Sequence, residues 1–196
     1  MRRVAVLVSG RGSNLQSLIE AADASYNVVL VISNTPGAGG LEKAQAAQIP
    51  TLVITHGGKT REVFDAELDA ALRAAGAEFV VLAGFMRILS DGFVRAWQGR
   101  LINIHPSLLP AYKGTKVHER VIAAGETSSG ASVHFVVPEL DAGPVIAQAT
   151  VPVHSCDTPE SLAERVLEVE HKLYPEALKQ LAKGDVILKN GQAVFG

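Results

Sequence analysis

Met1-Arg-Arg-Val-Ala-Val-Leu-Val-Ser-Gly-Arg-Gly-Ser-Asn14 opens the chain, and its reading decides the fold. Two arginines ahead of an apolar run have the outline of a secretory leader. The run stops at Val8, however, too short for a leader core or a membrane span. Read as structure, Val4 to Ser9 is a buried β-branched strand. It feeds a turn with glycines at positions 10 and 12, then an amphipathic helix from Asn14 to Ala24. Strand, glycine turn and helix in that order begin a parallel α/β sheet.

The alternation continues outward. Val28 to Ser33, Pro50 to Thr55, Phe79 to Gly84 and Leu101 to Ile104 read as strands, with helices from Leu41 to Gln48 and Arg61 to Ala75. Continuous apolar strands separated by amphipathic helices imply a sheet covered on both faces. The rhythm then changes. Ala131 to Val137 and Val145 to Val153 are strands with no room for a helix between them, so they read as an antiparallel addition joined by Pro138 to Pro144. A long amphipathic helix, Ser161 to Lys183, follows Asp157-Thr-Pro-Glu160, which sets a cap residue ahead of a first-turn proline. Val186 to Leu188 and Ala193 to Phe195 flank Asn190-Gly191 as a terminal hairpin. No repeat, low-complexity tract or linker interrupts the chain. The expected architecture is therefore one domain over residues 1–196, a Rossmann-like, mostly parallel sheet with helices on both faces and an antiparallel C-terminal addition.

Composition narrows the function classes. With 196 residues, 47% hydrophobic and 19% charged, the chain can bury a sizeable core and is not disordered. A net charge of −2 without an arginine-rich run argues against a nucleic-acid surface, while leaving room for a local anion pocket. The single cysteine, Cys156, excludes an intrachain disulfide and a cysteine-based metal site, which fits a reducing cytoplasm. His56, His118 and His154 lack metal-ligand spacing, so no metal is expected. No membrane partner is expected either. Apolar helix faces serve cores and dimer interfaces equally well, which leaves a homodimer open.

The chemistry concentrates in Leu101-Ile-Asn-Ile-His-Pro-Ser-Leu-Leu-Pro110. Side chains two apart on a strand share a face, so Asn103 and His105 project together at the carboxyl end of a strand, where open parallel sheets bind ligands. An amide donor beside an imidazole suits acyl transfer, one group holding a carbonyl oxygen and the other delivering a proton or positive charge. Asp141 lies in a loop after a core strand; if it reaches His105, its charge favours the imidazolium. A turn aspartate bonding its own backbone is the commoner role.

Ser9-Gly-Arg-Gly-Ser-Asn14 offers a close-approach turn and free helix amides for a phosphate. It lacks the third glycine of a dinucleotide fingerprint and the lysine of a Walker loop, so a single phosphate fits better. A plain turn capped by Ser13 or Asn14 is the competing reading. Phe85-Met-Arg-Ile-Leu89 could wall a flat aromatic ligand, and Arg61 could bind a carboxylate, though core and surface roles are commoner. Glu170 and His171 on the long helix, and His134 within a strand, rank as structural first. Lys113 and Lys116, flanking Gly114, read as solvated loop charges.

Together these segments resemble a known family. Gly-x-Gly-Ser-Asn-Leu-Gln at 10–16, Val-Leu-Ala-Gly-Phe-Met-Arg-Ile-Leu at 81–89 and Asn-Ile-His-Pro-Ser-Leu-Leu-Pro at 103–110 carry the likeness. So do Ser-Val-His-Phe-Val at 132–136, Leu-Asp-Ala-Gly-Pro-Val-Ile at 140–146 and Glu-His-x-x-Tyr-Pro at 170–175. The chain is similar to the phosphoribosylglycinamide formyltransferase family, the folate-dependent transformylases of purine synthesis, from about Val4 to Pro175. The Asn-x-His motif is common to folate-dependent formyltransferases, and the glycine loop narrows the likeness to this one.

The resemblance implies catalytic places for Asn103, His105 and Asp141, with His105 as proton donor and Asp141 supporting its charged form. It also implies a phosphate cradle at Gly12, Ser13 and Asn14, and a glycinamide contact at Glu170. Folate contacts are implied at Arg61, Met86, Arg87, Ile88, Leu89 and Asn103. The co-substrate so implied is 10-formyltetrahydrofolate, the other substrate is glycinamide ribonucleotide, and Leu109-Pro110 is expected to be cis. Arg11 occupies a variable loop position, where its charge can assist the phosphate. Methionyl-tRNA formyltransferase and formyltetrahydrofolate hydrolase share part of the pattern; the first adds a tRNA-binding domain, and the second lacks the glycine loop. A non-catalytic nucleotide- or folate-binding module would need only Gly10 to Asn14.

Overall fold

In the computed structural model, which describes residues 1–196, the chain runs β1 (Arg2–Val8), α1 (Ser13–Glu20), β2 (Tyr26–Ser33), α2 (Gly39–Ala46), β3 (Thr51–Val53), α3 (Arg61–Ala74), β4 (Phe79–Leu82), α4 (Asp91–Ala96) and β5 (Leu101–His105). It continues with α5 (Val117–Ala123), β6 (Ser128–Phe135), β7 (Val145–Pro152), α6 (Pro159–Lys183), β8 (Val186–Lys189) and β9 (Gln192–Phe195). Seven strands form one sheet in the order β3-β2-β1-β4-β5-β6-β7, and β8-β9 form a separate hairpin. The first five strands pair in parallel, while β6 and β7 join antiparallel. Strand order reverses between β1 and β4, so the crevice for a ligand opens at their carboxyl ends.

Alternate residues of each buried strand feed two separate cores. Val4, Val6 and Val8 pack with Leu15 and Leu18 of α1 and Leu162 and Val166 of α6 on one face. Ala5 and Leu7 pack with Phe64, Leu68 and Leu72 of α3 and Trp97 on the other. This period-two division is why β1 reads as a continuous apolar run. Tyr174 of α6 donates its hydroxyl to Leu82 O at 2.7 Å and also approaches Ile102 O at 3.2 Å, joining that helix to β4 and β5. Burial pushes this phenol well above its ordinary range.

Several boundaries differ from the sequence reading. β1 begins at Arg2 because Glu78 receives both the Arg2 guanidinium, at 2.7 Å, and the Arg3 amide, at 2.9 Å. α1 stops at Glu20, and the Tyr26 hydroxyl takes up the Leu18 carbonyl at 2.7 Å. β6 begins three residues early, at Ser128, because Ser128 already pairs with Pro152 of β7. The helices α4 and α5, of six and seven residues, were not anticipated, being too short for a helical period to declare itself. The terminal hairpin turns through Asn190 and Gly191 with φ of 51° and 75°, as a two-residue turn of this hand requires.

Candidate active site

The site is built on one ladder. Asn103 and His105 of β5 stand opposite His134 and Ser132 of β6, which sets all four side chains on one face of the sheet. Asn103 and His105 line the same cavity at the carboxyl end of β5, so the expected convergence holds. The residues that follow, Pro106 to Pro110, are tied down by Ser132. Its hydroxyl donates to Ser107 O at 2.6 Å and accepts from the Leu109 amide at 3.0 Å and from Gln148 Nε2 at 2.8 Å. The Leu109-Pro110 peptide is cis.

His105 is 6% exposed and meets an acceptor at each ring nitrogen. Nε2 lies 2.9 Å from Tyr112 O, and Nδ1 lies 3.4 Å from Asp141 Oδ2. A carbonyl can only accept, so the Nε2 contact is a hydrogen bond only when that nitrogen carries a proton, and the Asp141 carboxylate sets a negative charge beside Nδ1. Asp141 is far from the solvated turn residue of the commoner reading: its side chain is 7% exposed, and Oδ2 also accepts from the Gly114 amide at 2.9 Å. It is held there in the left-handed region, at φ 48°, a conformation side chains rarely adopt. A β-carbon on Gly143 would run into the Phe135 carbonyl, so the loop that delivers Asp141 can lie this close to β6 only with glycine there.

His134 is both a core and a site residue. Its Nδ1 donates to Phe135 O at 2.9 Å, which leaves Nε2 as the lone-pair nitrogen, 3.4 Å from Asn103 Nδ2 and 3.8 Å from Asp141 Oδ1. Burial lowers its pKa from the ordinary 6.5, against the opposing pull of the Phe135 carbonyl and Asp141. A neutral ring in that tautomer accepts from Asn103 and orients its amide. Reading His134 as a satisfied core histidine missed this half; the available signal was the Ser132–His134 alternation, which matches Asn103–His105.

Along one wall, Met86 to Leu89 with Phe85, Val136 and Leu140 form a slot that is mostly apolar and opens onto Asn103 and Asp141. Met86 and Ile88 are 74% and 60% exposed along this slot. The Met86 amide donates to Ser9 Oγ at 2.8 Å, fixing this segment to the end of β1. Arg87 stacks over Phe64 at 4.5 Å from the ring centre, with its buried Nε unpartnered. Arg61 is exposed at the start of α3 and is not among the residues lining either cavity.

At the other end lies the glycine turn. Gly12, at φ 72°, occupies the N-cap of α1 with no side chain capping it, so neither Ser13 nor Asn14 plays the capping part and the first amides stay free. Asn14 donates to Glu170 Oε2 at 2.8 Å, and its buried Oδ1 has no partner. Burial raises the Glu170 carboxyl above its ordinary value, only partly opposed by that bond. Asn14, Glu170, Asn103 and His105 line one continuous cavity.

Known proteins share this sequence pattern and fold. The formyl transferase family matches residues 2–178. The phosphoribosylglycinamide formyltransferase of Escherichia coli is 45% identical over 185 residues, which cover 92% of this chain and 87% of that protein. The chain belongs to the formyl transferase family, among its phosphoribosylglycinamide formyltransferases. Other relatives are longer: the trifunctional purine biosynthetic protein adenosine-3 of Bos taurus is 51% identical over 195 residues, and the chain spans 19% of its length. The solved phosphoribosylglycinamide formyltransferase of Coxiella burnetii superposes with a TM-score of 0.94 at 45% identity, covering 99% of this chain and 93% of that one. Glycinamide ribonucleotide transformylase 1 of Symbiobacterium toebii gives 0.96 at 38% identity, covering 100% and 94%. This formyl transferase fold thus contains the expected mostly parallel sheet and its antiparallel addition. None of its helices is long and apolar enough to cross a membrane.

Proposed function

We propose that this chain transfers the formyl group of 10-formyltetrahydrofolate to the amine of glycinamide ribonucleotide. The products are formylglycinamide ribonucleotide and tetrahydrofolate, in purine synthesis. The observation that carries this reading is His105 set between two acceptors, beside Asn103, in a cavity that runs from an apolar slot to an uncapped helix N-terminus.

The ribonucleotide phosphate binds the free amides of Gly12, Ser13 and Asn14, where the helix dipole favours an anion. Its glycinamide end lies toward Glu170. The pteridine enters the slot walled by Met86, Arg87, Ile88 and Leu89, and Arg61 serves the carboxylate tail that projects beyond it. The neutral amine attacks the formyl carbon, and the carbonyl electron pair moves onto oxygen. Asn103 and protonated His105 stabilise that oxygen, each donor contributing about 3 kcal/mol. The Asp141 carboxylate beside Nδ1 supports the imidazolium. The formyl oxygen then takes the place of Tyr112 O at Nε2. Collapse of the intermediate breaks the carbon–nitrogen bond to the folate, and the proton lost by the amine reaches the departing nitrogen through water. No step requires a covalent enzyme intermediate.

The test is an assay that follows tetrahydrofolate release with both substrates present. Turnover dependent on the ribonucleotide is expected. Tight ribonucleotide binding without turnover would leave only a binding module.

A further inference from the structure

A phosphomonoester at the N-terminus of α1 would carry close to two negative charges, and Glu170, bonded to Asn14, opposes them. The proposed function makes Gly12, Ser13 and Asn14 the phosphate ligands, none of which is a cation. Arg11 in the turn is exposed, and a second, half-buried positive charge lies on α2. Gly40 N donates to Gly10 O at 3.0 Å, so the first turn of α2 is tied to the glycine turn. The two backbones are in close contact there: a β-carbon on Gly12 would stand 2.5 Å from Gly40 Cα, and one on Gly39 would stand 3.3 Å from Arg11 O. Lys43 follows Gly40 by three residues and so lies on the same face of α2. Its Cδ is 3.5 Å from the position of a Gly12 β-carbon.

The Lys43 side chain forms no ion pair or hydrogen bond, although the residue is half-buried. It lines a groove with Ser13, Gln16, Glu20 and His171. The groove's one carboxylate, Glu20, lies seven residues along α1 from Ser13 and is occupied by Gln16 Nε2 at 2.6 Å. One buried polar atom among the residues lining the groove also lacks a partner, His171 Nε2. An unpaired cation and free helix amides at one helix end, with an unpartnered ring nitrogen in the same groove, are the features of a site waiting for an anion.

We propose that Lys43 is a further substrate-binding residue, supplying the counter-charge for the ribonucleotide phosphate from α2. The inference rests on the reading of Gly12 to Asn14 as the phosphate site and adds to the exposed Arg11 a half-buried cation held by a second helix. The glycines at 39 and 40 allow α2 to approach the turn closely enough for Lys43 to reach it.

Two measurements on the full chain test it. In the formyl-transfer assay, Lys43→Gln is expected to raise KM for the ribonucleotide by roughly tenfold, with kcat and KM for the folate nearly unchanged, and Lys43→Arg is expected to restore most of the affinity. Separately, inorganic phosphate is titrated while the amide resonances of Ser13 and Asn14 are followed, a readout that needs no turnover. Weaker phosphate binding in Lys43→Gln than in wild type is expected, and a wild-type KM together with a wild-type phosphate affinity in that variant would overturn the role of Lys43. If wild type itself transfers no formyl group but binds phosphate through Lys43, the proposed reaction fails while this assignment stands.

Discussion

Asn103 of β5 stands directly opposite His134 of β6, its Nδ2 3.4 Å from the ring Nε2. Because Nδ1 of that ring is committed to Phe135 O, the neutral imidazole can only accept from Asn103, and the amide is turned one way. The second amide hydrogen is then free for a substrate oxygen. His134→Leu keeps the apolar volume and loses the acceptor. A loss of about 1–2 kcal/mol of orientation lowers kcat roughly 10-fold, while KM for the ribonucleotide stays near wild type. Steady-state kinetics with each substrate varied check this; an unchanged kcat refutes the orienting role.

Asp141 contributes charge as well as shape. In Asp141→Asn an amide can still meet Nδ1 and the Gly114 amide, so the fold survives, but the negative charge beside His105 is gone. Turnover at neutral pH is expected to fall by about 10²–10⁴-fold, the range of a lost acid–base contribution. An unchanged Tm and an unchanged KM for the ribonucleotide distinguish loss of charge from loss of structure. Near-wild-type kcat at neutral pH contradicts the assignment.

Much of this was legible locally. The period of two in Leu101 to His105 put Asn103 and His105 on one face, and the spacing of Gly10 and Gly12 after an apolar strand marked a close-approach turn, while only the structure shows that no side chain caps the helix behind it. What stayed hidden depends on pairing between distant segments. Nothing local to Ser132 and His134 says that β6 lies antiparallel to β5 with His134 facing Asn103. The Tyr112 contact to His105 is made by a backbone carbonyl, which any residue could provide. The place of Lys43 follows from two glycine-lined backbones meeting, and the α2 helix by itself has no sign of it. Arg61 lies at the surface outside both cavities, and no pattern around it in the sequence marks it off from a solvated arginine.

Gly143 sets how closely the Asp141 loop can approach the sheet. A β-carbon there would overlap the Phe135 carbonyl and stand 3.5 Å from His134 Nδ1. Gly143→Ala must therefore push the loop outward and lengthen the Asp141–His105 contact. The expected result is a folded protein destabilised by about 1–3 kcal/mol, with kcat reduced far more than ribonucleotide affinity. Urea unfolding and kinetics on the same preparation test this, and full activity at reduced stability would separate Gly143 from catalysis.

Glu170 makes stability depend on pH in a direction opposite to most carboxylates. It is 7% exposed, and burial raises its pKa above the ordinary 4.5. A carboxyl that holds its proton more tightly when folded gives the native state more bound protons than the unfolded chain, over the window from 4.5 up to the raised value. Stability from this group is complete below 4.5 and falls as pH rises through that window, because the folded chain must then bury the charge. Glu170→Gln removes the titration and keeps an oxygen to accept from Asn14. Its Tm is expected to decline less than that of wild type between pH 4.5 and neutrality, and KM for the ribonucleotide is expected to rise as the contact to the substrate amine weakens. Thermal unfolding of both proteins across that range decides the matter: parallel Tm profiles would show that the buried carboxyl does not titrate there.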